Sequence, residues 1–472
     1  MSEPRLLQAG PRALLGSMLG RVRRSVTLLG PALLVSVGYT DPGNWATDLE
    51  GGAKFGYGLV WVLVASSTMA IVLQSLSARL GIVSGMNLAQ GCRLIYSPRV
   101  NAFLWVLAEV AIVACDAAEV VGSAIALNML FGLPLVLGAI LTALDVLVVL
   151  LLQHRRLAVL QAFIAALLLV IALCLAGEMW LVRPSPKALL HGLTPRLPPG
   201  ALYTAVGILG ATLMPHNLYL QSALVRKNTG PNARKSLRQS VLSTAVALNV
   251  ALLLNIAILL LSAAAFSSRG MVVTDLRDAQ RLLSPLLGSS LASLLFATGL
   301  LCSGQSATVT GTLAGQIVME GFLQTRLSPA LRRLLTRCAA VVPAVVVLLT
   351  VGSRGMMPLL IGSQVVLSLQ LPFAIVPLLR LTSCRRLMGH ELSGRSMRVA
   401  SACCAVAVCA ANALLLYRTC LELSALSAVV AGSFAALCLA GAGFLLWVLL
   451  VPLRVEGGSQ KEPERRRLLR AA

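Results

Sequence analysis

The sequence predicts an all-α polytopic membrane protein built from two inverted five-helix repeats, with helices 1 and 6 discontinuous and helices 11 and 12 added at the end. Three observations lead there. The 472-residue chain is 57% hydrophobic and only 12% charged, against about 25% charged residues in soluble proteins. Its apolar residues gather into twelve runs of bilayer-crossing length. Two of those runs, five apart in order, are interrupted by proline and glycine.

A bilayer core of about 30 Å takes roughly 20 apolar residues in a helix. Runs of that kind lie near residues 27–50, 57–80, 101–129, 133–152, 157–177, 201–225, 239–266, 283–322, 334–352, 357–379, 397–417 and 424–452. The eighth is too long for one crossing and is expected to extend into water at one end. Charge then orients the set. With the N-terminus inside, the cytoplasmic segments hold 30 of the 39 Lys and Arg residues, as the positive-inside rule requires. An even number of spans returns the C-terminus to the cytoplasm, so count and charge agree.

The formal net charge of +22 is therefore read as topology. Nucleic-acid binding would need a basic patch on a folded surface, and aromatic residues make up only 4% of the chain. Residues 1–26 read as a basic cytoplasmic tail with no cleavable signal, and residues 178–200 as an external loop. Residues 453–472 form a second basic tail, in which Arg465-Arg466-Arg467 suits a topology signal or anionic lipid. The repeats take residues 27–177 and 201–380, and the two added helices lie within 381–452. Cys115, Cys174, Cys302, Cys338, Cys403, Cys404, Cys409 and Cys438 sit inside apolar runs, where cysteine acts as a small hydrophobe rather than part of a disulfide framework.

The first span is interrupted by Asp41-Pro42-Gly43-Asn44 and the sixth by Gly210-Ala211-Thr212-Leu213-Met214-Pro215-His216. Proline removes a backbone donor and glycine weakens a helix. At membrane depth such breaks survive only where protein or a water-filled cavity satisfies the freed groups. Paired interruptions at corresponding places mark an inverted repeat with its substrate site at the midplane.

The two breaks offer an unusual donor set. Asp41 brings a carboxylate, Asn44 an amide oxygen, Met214 a thioether, and an unwound turn near Ala211 a backbone carbonyl. Oxygen donors alone would suit Ca²⁺ or Mg²⁺; the thioether shifts preference toward Mn²⁺, Fe²⁺, Co²⁺ or Cd²⁺. Packing is the alternative role for Met214. Buried ionisable groups are the second signal, because each costs at least ~2.5–3.5 kcal/mol at the bilayer centre. Glu109, Asp116 and Glu119 in span 3, spaced by seven and three, share one helical face and suggest a polar path or a structural hydrogen-bond network. His216 stands beside the metal donors as a proton acceptor or a holder of the unwound helix. Asp145 in span 4 reads as helix–helix glue or function. Gln74 in span 2 and Gln364 in span 10 either ligate metal or satisfy unwound backbone. Gly311 and Gly315 in span 8 form a small-residue packing interface.

These motifs resemble the Nramp (natural resistance-associated macrophage protein) family of divalent metal transporters, in its bacterial proton-dependent manganese transporter type. The similar stretches are Asp41-Pro42-Gly43-Asn44 running into Thr47-Asp48-Leu49-Glu50-Gly51-Gly52, then Met214-Pro215-His216-Asn217, then Gly304-Gln305-Ser306 through Gly315-Gln316. The resemblance implies a LeuT-type fold and symport of Mn²⁺ or Fe²⁺ with protons. By position it places metal ligands on Asp41, Asn44, Met214 and the Ala211 carbonyl, with Gln364 joining in some states. It routes protons through Asp41, His216, Asp116 and Glu119 toward Arg332 and Arg333; that arginine pair rests on the resemblance alone. Two positions depart from the family: Gln221, where many members have a second histidine, and Gln161, where they often have Glu. Neither touches the metal set; both bear on proton coupling.

The expectation is a secondary active importer working by alternating access, with divalent metal ions, protons and lipid as partners, no nucleic acid, no cofactor, and a monomer in a bacterial inner membrane. Two rivals are a related carrier of a harder ion such as Mg²⁺, which would lack Met214, and an amine or amino-acid symporter on the same fold, which has no need of a thioether. An enzyme is disfavoured, since no nucleotide loop, nucleophile–base pair or membrane-protease motif is present.

Overall fold

The structure, a computed structural model, describes residues 32, 34–142, 157–226, 233–270, 276–287, 290–323, 328–389 and 393–452. Among the described residues all regular elements are helical. In chain order they are α1 (Pro42–Phe55), α2 (Val60–Ser84), α3 (Leu88–Ile95), α4 (Pro98–Phe131), α5 (Leu135–Leu141), α6 (Leu157–Val182), α7 (Pro186–Gly192), α8 (Leu202–Leu213) and α9 (Pro215–Val225). There follow α10 (Ala233–Ala265), α11 (Leu276–Leu287), α12 (Ser290–Leu323), α13 (Pro329–Thr350), α14 (Met356–Gln370), α15 (Pro372–Ser383), α16 (Arg385–Met388), α17 (Arg395–Leu426) and α18 (Ala428–Leu450).

Eight stretches among the described residues are long and apolar enough to cross a membrane: Val60–Ser84, Pro98–Phe131, Val159–Val182, Ala233–Ala265, Leu291–Leu323, Gly352–Ser383, Arg395–Leu426 and Ala428–Leu450. The first and sixth predicted runs are absent from that set because each is broken into shorter helices. The ninth contributes a shorter apolar helix, Leu334–Thr350. Of the fourth, only α5 and Thr142 are described, and Asp145 lies outside the described residues. Most of the overlong eighth run lies in α12, a single helix of 34 residues, and its first residues belong to α11.

Local chemistry sets the ends. Asn87 caps α3 through a capping box with Gln90. Gly85 and Gly132, both in the left-handed region at φ 69°, close α2 and α4. Helices α4, α9, α13 and α15 each open on proline, where a missing N–H costs nothing.

Helices α4 and α12 pack along each other, and the first break lies against both. A methyl on Gly122 would sit 2.2 Å from Pro42 Cβ, and one on Gly304 would sit 2.2 Å from Ser123 Oγ. On the other side, α10 runs against α1 so closely that a methyl on Gly52 would meet the Leu259 carbonyl oxygen at 2.3 Å. Helices α17 and α18 stand at the edge. Only Ala431 and Val448 of α18 are buried, and Val429, Val430, Leu437, Leu439, Leu446, Leu449 and Leu450 face outward, as lipid contact demands.

The backbone approach at Gly210 yields a stability test. A methyl there would stand 2.0 Å from the Gln364 carbonyl oxygen, whereas Gly432 has nothing within 4 Å of the same position. Gly210→Ala is expected to cost about 1–3 kcal/mol through overpacking and Gly432→Ala nothing. Fluorescence-detected size-exclusion after graded heating of detergent-solubilised protein compares the two.

Candidate functional site

The first break is held by its own neighbours. A helical turn at Gly38–Thr40 ends at Asp41, whose backbone is extended at φ −71°, ψ 166°, and α1 then begins at Pro42. Asp41 Oδ1 accepts the Asn44 N–H at 2.8 Å, capping α1. The unwinding frees the carbonyls of Tyr39 and Thr40. Asn44 Nδ2 and Asn255 Nδ2 donate to the Tyr39 carbonyl at 3.1 and 2.9 Å, and Ser303 Oγ donates to the Thr40 carbonyl. Gln74 Nε2 donates to the Tyr39 hydroxyl at 2.7 Å, so Gln74 reaches the break through the tyrosine side chain.

The second break is less well supplied. Helix α8 ends at Leu213, and Met214 takes φ 26°, ψ 100°, a left-handed conformation costing on the order of 1–3 kcal/mol in a non-glycine residue. Pro215 opens α9. The amide that would close a helical turn onto the Ala211 carbonyl belongs to Pro215, which has no N–H. Asn217 Nδ2 lies 3.5 Å from Met214 Sδ.

Two further helices join the breaks. Cys115 of α4 donates its thiol to Asp41 Oδ2 at 3.9 Å and packs with Met214 and Leu367. On α14, Gln364 presses on both breaks: a methyl on Gly43 would meet its Nε2 at 1.8 Å, and one on Gly210 its carbonyl oxygen. Gln364 Nε2 donates to Ser363 Oγ at 3.0 Å, while Gln364 Oε1 and Asn44 Oδ1 are buried and accept no hydrogen bond from the chain. A buried acceptor left so costs about 1–3 kcal/mol. Asp41, Asn44, Ala211, Met214 and Gln364 are all at 0–1% exposure. Among the described residues no group of three or more His, Cys, Asp or Glu is placed to hold a metal, so a cation here would rest on the mixed donor set of the two breaks.

The glutamates of α4 flank this centre, Glu119 on the C-terminal side of Cys115 and Glu109 on its N-terminal side. Glu119 Oε2 accepts from Arg337 Nη1 at 3.1 Å and from Thr308 at 2.9 Å, and both ion-pair partners are fully buried. Glu109 accepts from Arg332 Nη2 at 3.0 and 3.1 Å and from Trp105 Nε1 at 3.1 Å. Arg332 reaches it by crossing α12 at Gly315, where a methyl would stand 2.2 Å from its Nη2. The small-residue interface in that helix therefore admits a guanidinium. His216 is buried, its Nδ1 unbonded, and Asp116 lies within electrostatic range of it. Gln221 Nε2 donates to Thr244 Oγ1 at 3.1 Å, and Gln161 is buried. Arg333 belongs to α13, but its side chain is outside what is described.

Three residues escaped the sequence reading. Arg337 carried a usable signal, a charge inside the predicted ninth span. Cys115 carried none, because only the fold sets it against Asp41. Asp48 stands one turn beyond Asn44, fully buried, with neither carboxylate oxygen hydrogen-bonded; a second acid in the Asp41 motif was legible but unused.

Two broken helices meeting at a buried polar centre within a LeuT-type bundle of paired five-helix repeats define a secondary-transporter architecture. The profile described as Natural resistance-associated macrophage protein-like matches residues 32–418. The chain is 54% identical over 375 residues to a divalent metal cation transporter MntH of Xanthomonas campestris, covering 78% of this chain and 84% of the relative. It is 48% identical over 406 residues to MntH of a Nostoc species, covering 84% and 92%. A crystal structure of the Eremococcus coleocola manganese transporter superposes with a TM-score of 0.81 at 32% identity, covering 94% of this chain and 95% of that one. Mhp1 in an inward-facing conformation shares the fold at a TM-score of 0.55 and 16% identity, over 93% and 94%. The chain belongs to the Nramp family.

The Glu119–Arg337 pair offers a direct test of the buried network. Removing one partner strands the other charge, so Glu119→Gln or Arg337→Met is expected to cost about 3–5 kcal/mol. The double variant should lose less than the sum, as a double-mutant cycle on thermal unfolding in detergent would record.

Proposed function

We propose that this chain imports divalent transition-metal ions, Mn²⁺ foremost and Fe²⁺, Co²⁺ and Cd²⁺ with it, by proton-coupled symport and alternating access. The observation that carries this reading is the convergence at two helix breaks of a carboxylate, two unbonded amide oxygens, a carbonyl without its helical donor and a thioether. The metal is substrate: Asp41, Asn44 Oδ1, the Ala211 carbonyl and Met214 would hold it, with Gln364 Oε1 joining in some states. The relatives named as divalent metal cation transporters and as a manganese transporter support that class.

Protons would travel from Asp41 and His216 by way of Asp116 to Glu119, then along the Glu109–Arg332 and Glu119–Arg337 pairs, with Arg333 beside them. Asp41 then serves two roles in turn, metal ligand and proton acceptor. The chain would act as a monomer in a bacterial inner membrane with both termini cytoplasmic, performing transport without covalent chemistry. Met214 is what disfavours a Mg²⁺ carrier, since a thioether adds nothing for a hard cation.

Proteoliposome uptake of Mn²⁺, Cd²⁺, Mg²⁺ and Ca²⁺ tests this. Met214→Ala is expected to lower discrimination against Ca²⁺ and Mg²⁺ by about tenfold, or ~1.4 kcal/mol; unchanged discrimination would sink the thioether's role. Asp41→Asn is expected to abolish uptake. Coupling is read separately with a pH-sensitive dye inside the vesicles. Acidification should accompany Mn²⁺ entry in the wild type, and its absence would make the protein a uniporter.

A further inference from the structure

We infer that Cys115 is a specificity-determining residue of the metal centre, a second sulfur that biases the site toward polarizable cations such as Cd²⁺. The inference rests on the proposed transport function and deepens it. Four features of the structure lead to it.

Cys115 lies on α4 immediately before Asp116, is buried, and directs its thiol at Asp41 Oδ2 from 3.9 Å. It shares one apolar contact group with Met214 and Leu367. A cysteine serving only as a small hydrophobe would have apolar neighbours alone; this one touches the carboxylate of one break and the thioether residue of the other. The place is also marked as a binding space independently of any sulfur. Asn44 Oδ1 and Gln364 Oε1 are fully buried at the same two breaks without a donor from the chain.

Two consequences follow from the chemistry. First, Asp41 is oriented by the backbone amides of Asn44 (on Oδ1) and Gly43 and by the Cys115 thiol on Oδ2. A thiol is a weak donor, so Oδ2 is held in place yet readily given up to a cation. Second, sulfur beside sulfur softens the donor set. Carboxylate and amide oxygens serve Mn²⁺ well, whereas paired sulfurs favour softer ions. Serine in the same place would bond Asp41 more strongly and present a hard oxygen, which separates the two consequences experimentally.

The test uses full-length wild type, Cys115→Ser and Cys115→Ala, with equilibrium binding of Mn²⁺ and Cd²⁺ by calorimetry and competitive uptake in proteoliposomes. Both variants are expected to lose about tenfold in the Cd²⁺-to-Mn²⁺ preference. The ratio is taken on one sample, so a partly misfolded fraction cancels; where serine prevents folding, Cys115→Thr replaces it. A preference unchanged within twofold in the variants overturns the inference, including the case where both metals weaken together. Wild-type protein that binds neither metal overturns the transport reading and takes this inference with it. Wild type that transports Mn²⁺, with an unaltered ratio in the variants, overturns this inference alone.

Discussion

A helix interrupted at membrane depth must find partners for the backbone groups it frees, and this requirement organises the structure. Water is not available in the hydrocarbon to do it. At the first break the answer is complete: Tyr39 and Thr40 have their carbonyls met by Asn44, Asn255 and Ser303, from three different helices. At the second break it is not. Pro215 withholds the donor due to Ala211, and Met214 is forced to positive φ. One break is thereby fixed as scaffold, while at the other the Ala211 carbonyl lacks its helical donor and Met214 Sδ meets only the weak contact from Asn217 Nδ2. In the proposed function a cation would find its oxygen and sulfur donors where the helix failed to consume them.

The shape of that centre is set by side chains that are absent. Gly43 and Gly210 let Gln364 lie against both breaks at once, and Gly122 and Gly304 let Pro42 nest between α4 and α12. Each of these contacts would be blocked by a single methyl. The glycines beside the prolines therefore do more than weaken helices: they bring a third and a fourth helix within reach of Asp41. Gly315 repeats the device for charge, opening a way across α12 for Arg332.

How far the sequence could reveal this depends on whether a feature is local or tertiary. The breaks were legible because proline and glycine inside an apolar run act on the adjacent backbone. Asp41, Asn44, Met214 and Gln364 could be picked out as polar or soft groups in expensive surroundings. The amphipathic helix α11 ahead of the eighth span was not legible, since apolar length alone does not say where one helix ends. Nor were the partners of the breaks: Asn255 and Ser303 are ordinary polar residues of their spans until packing sets them on Tyr39 and Thr40. Cys115 read as packing for the same reason, and Arg337 was passed over in favour of an adjacent arginine pair. Composition marks which groups are costly; only the fold shows which of them are compensated.

That compensation is uneven, and the unevenness gives the electrostatics a direction. Glu119 and Glu109 are each neutralised by a guanidinium from α13, so the two glutamates that flank the centre along α4 carry little net charge to attract a metal. Asp41 is buried just as deeply, and among the described residues its partners are the backbone amides of Asn44 and Gly43 and the Cys115 thiol, with no cation in the set. Burying a carboxylate without a counter-charge is costly, and that cost falls when a cation or a proton arrives. A dication satisfies the carboxylate and the unbonded amide oxygens together; a proton satisfies the carboxylate alone. In the proposed cycle the paired acids on either side would pass a proton without competing for the metal, because their charge is already met. In the proposed cycle the same residue would distinguish the two cations by how many neighbouring donors each one uses, and the separation of their paths would follow from where the arginines stand.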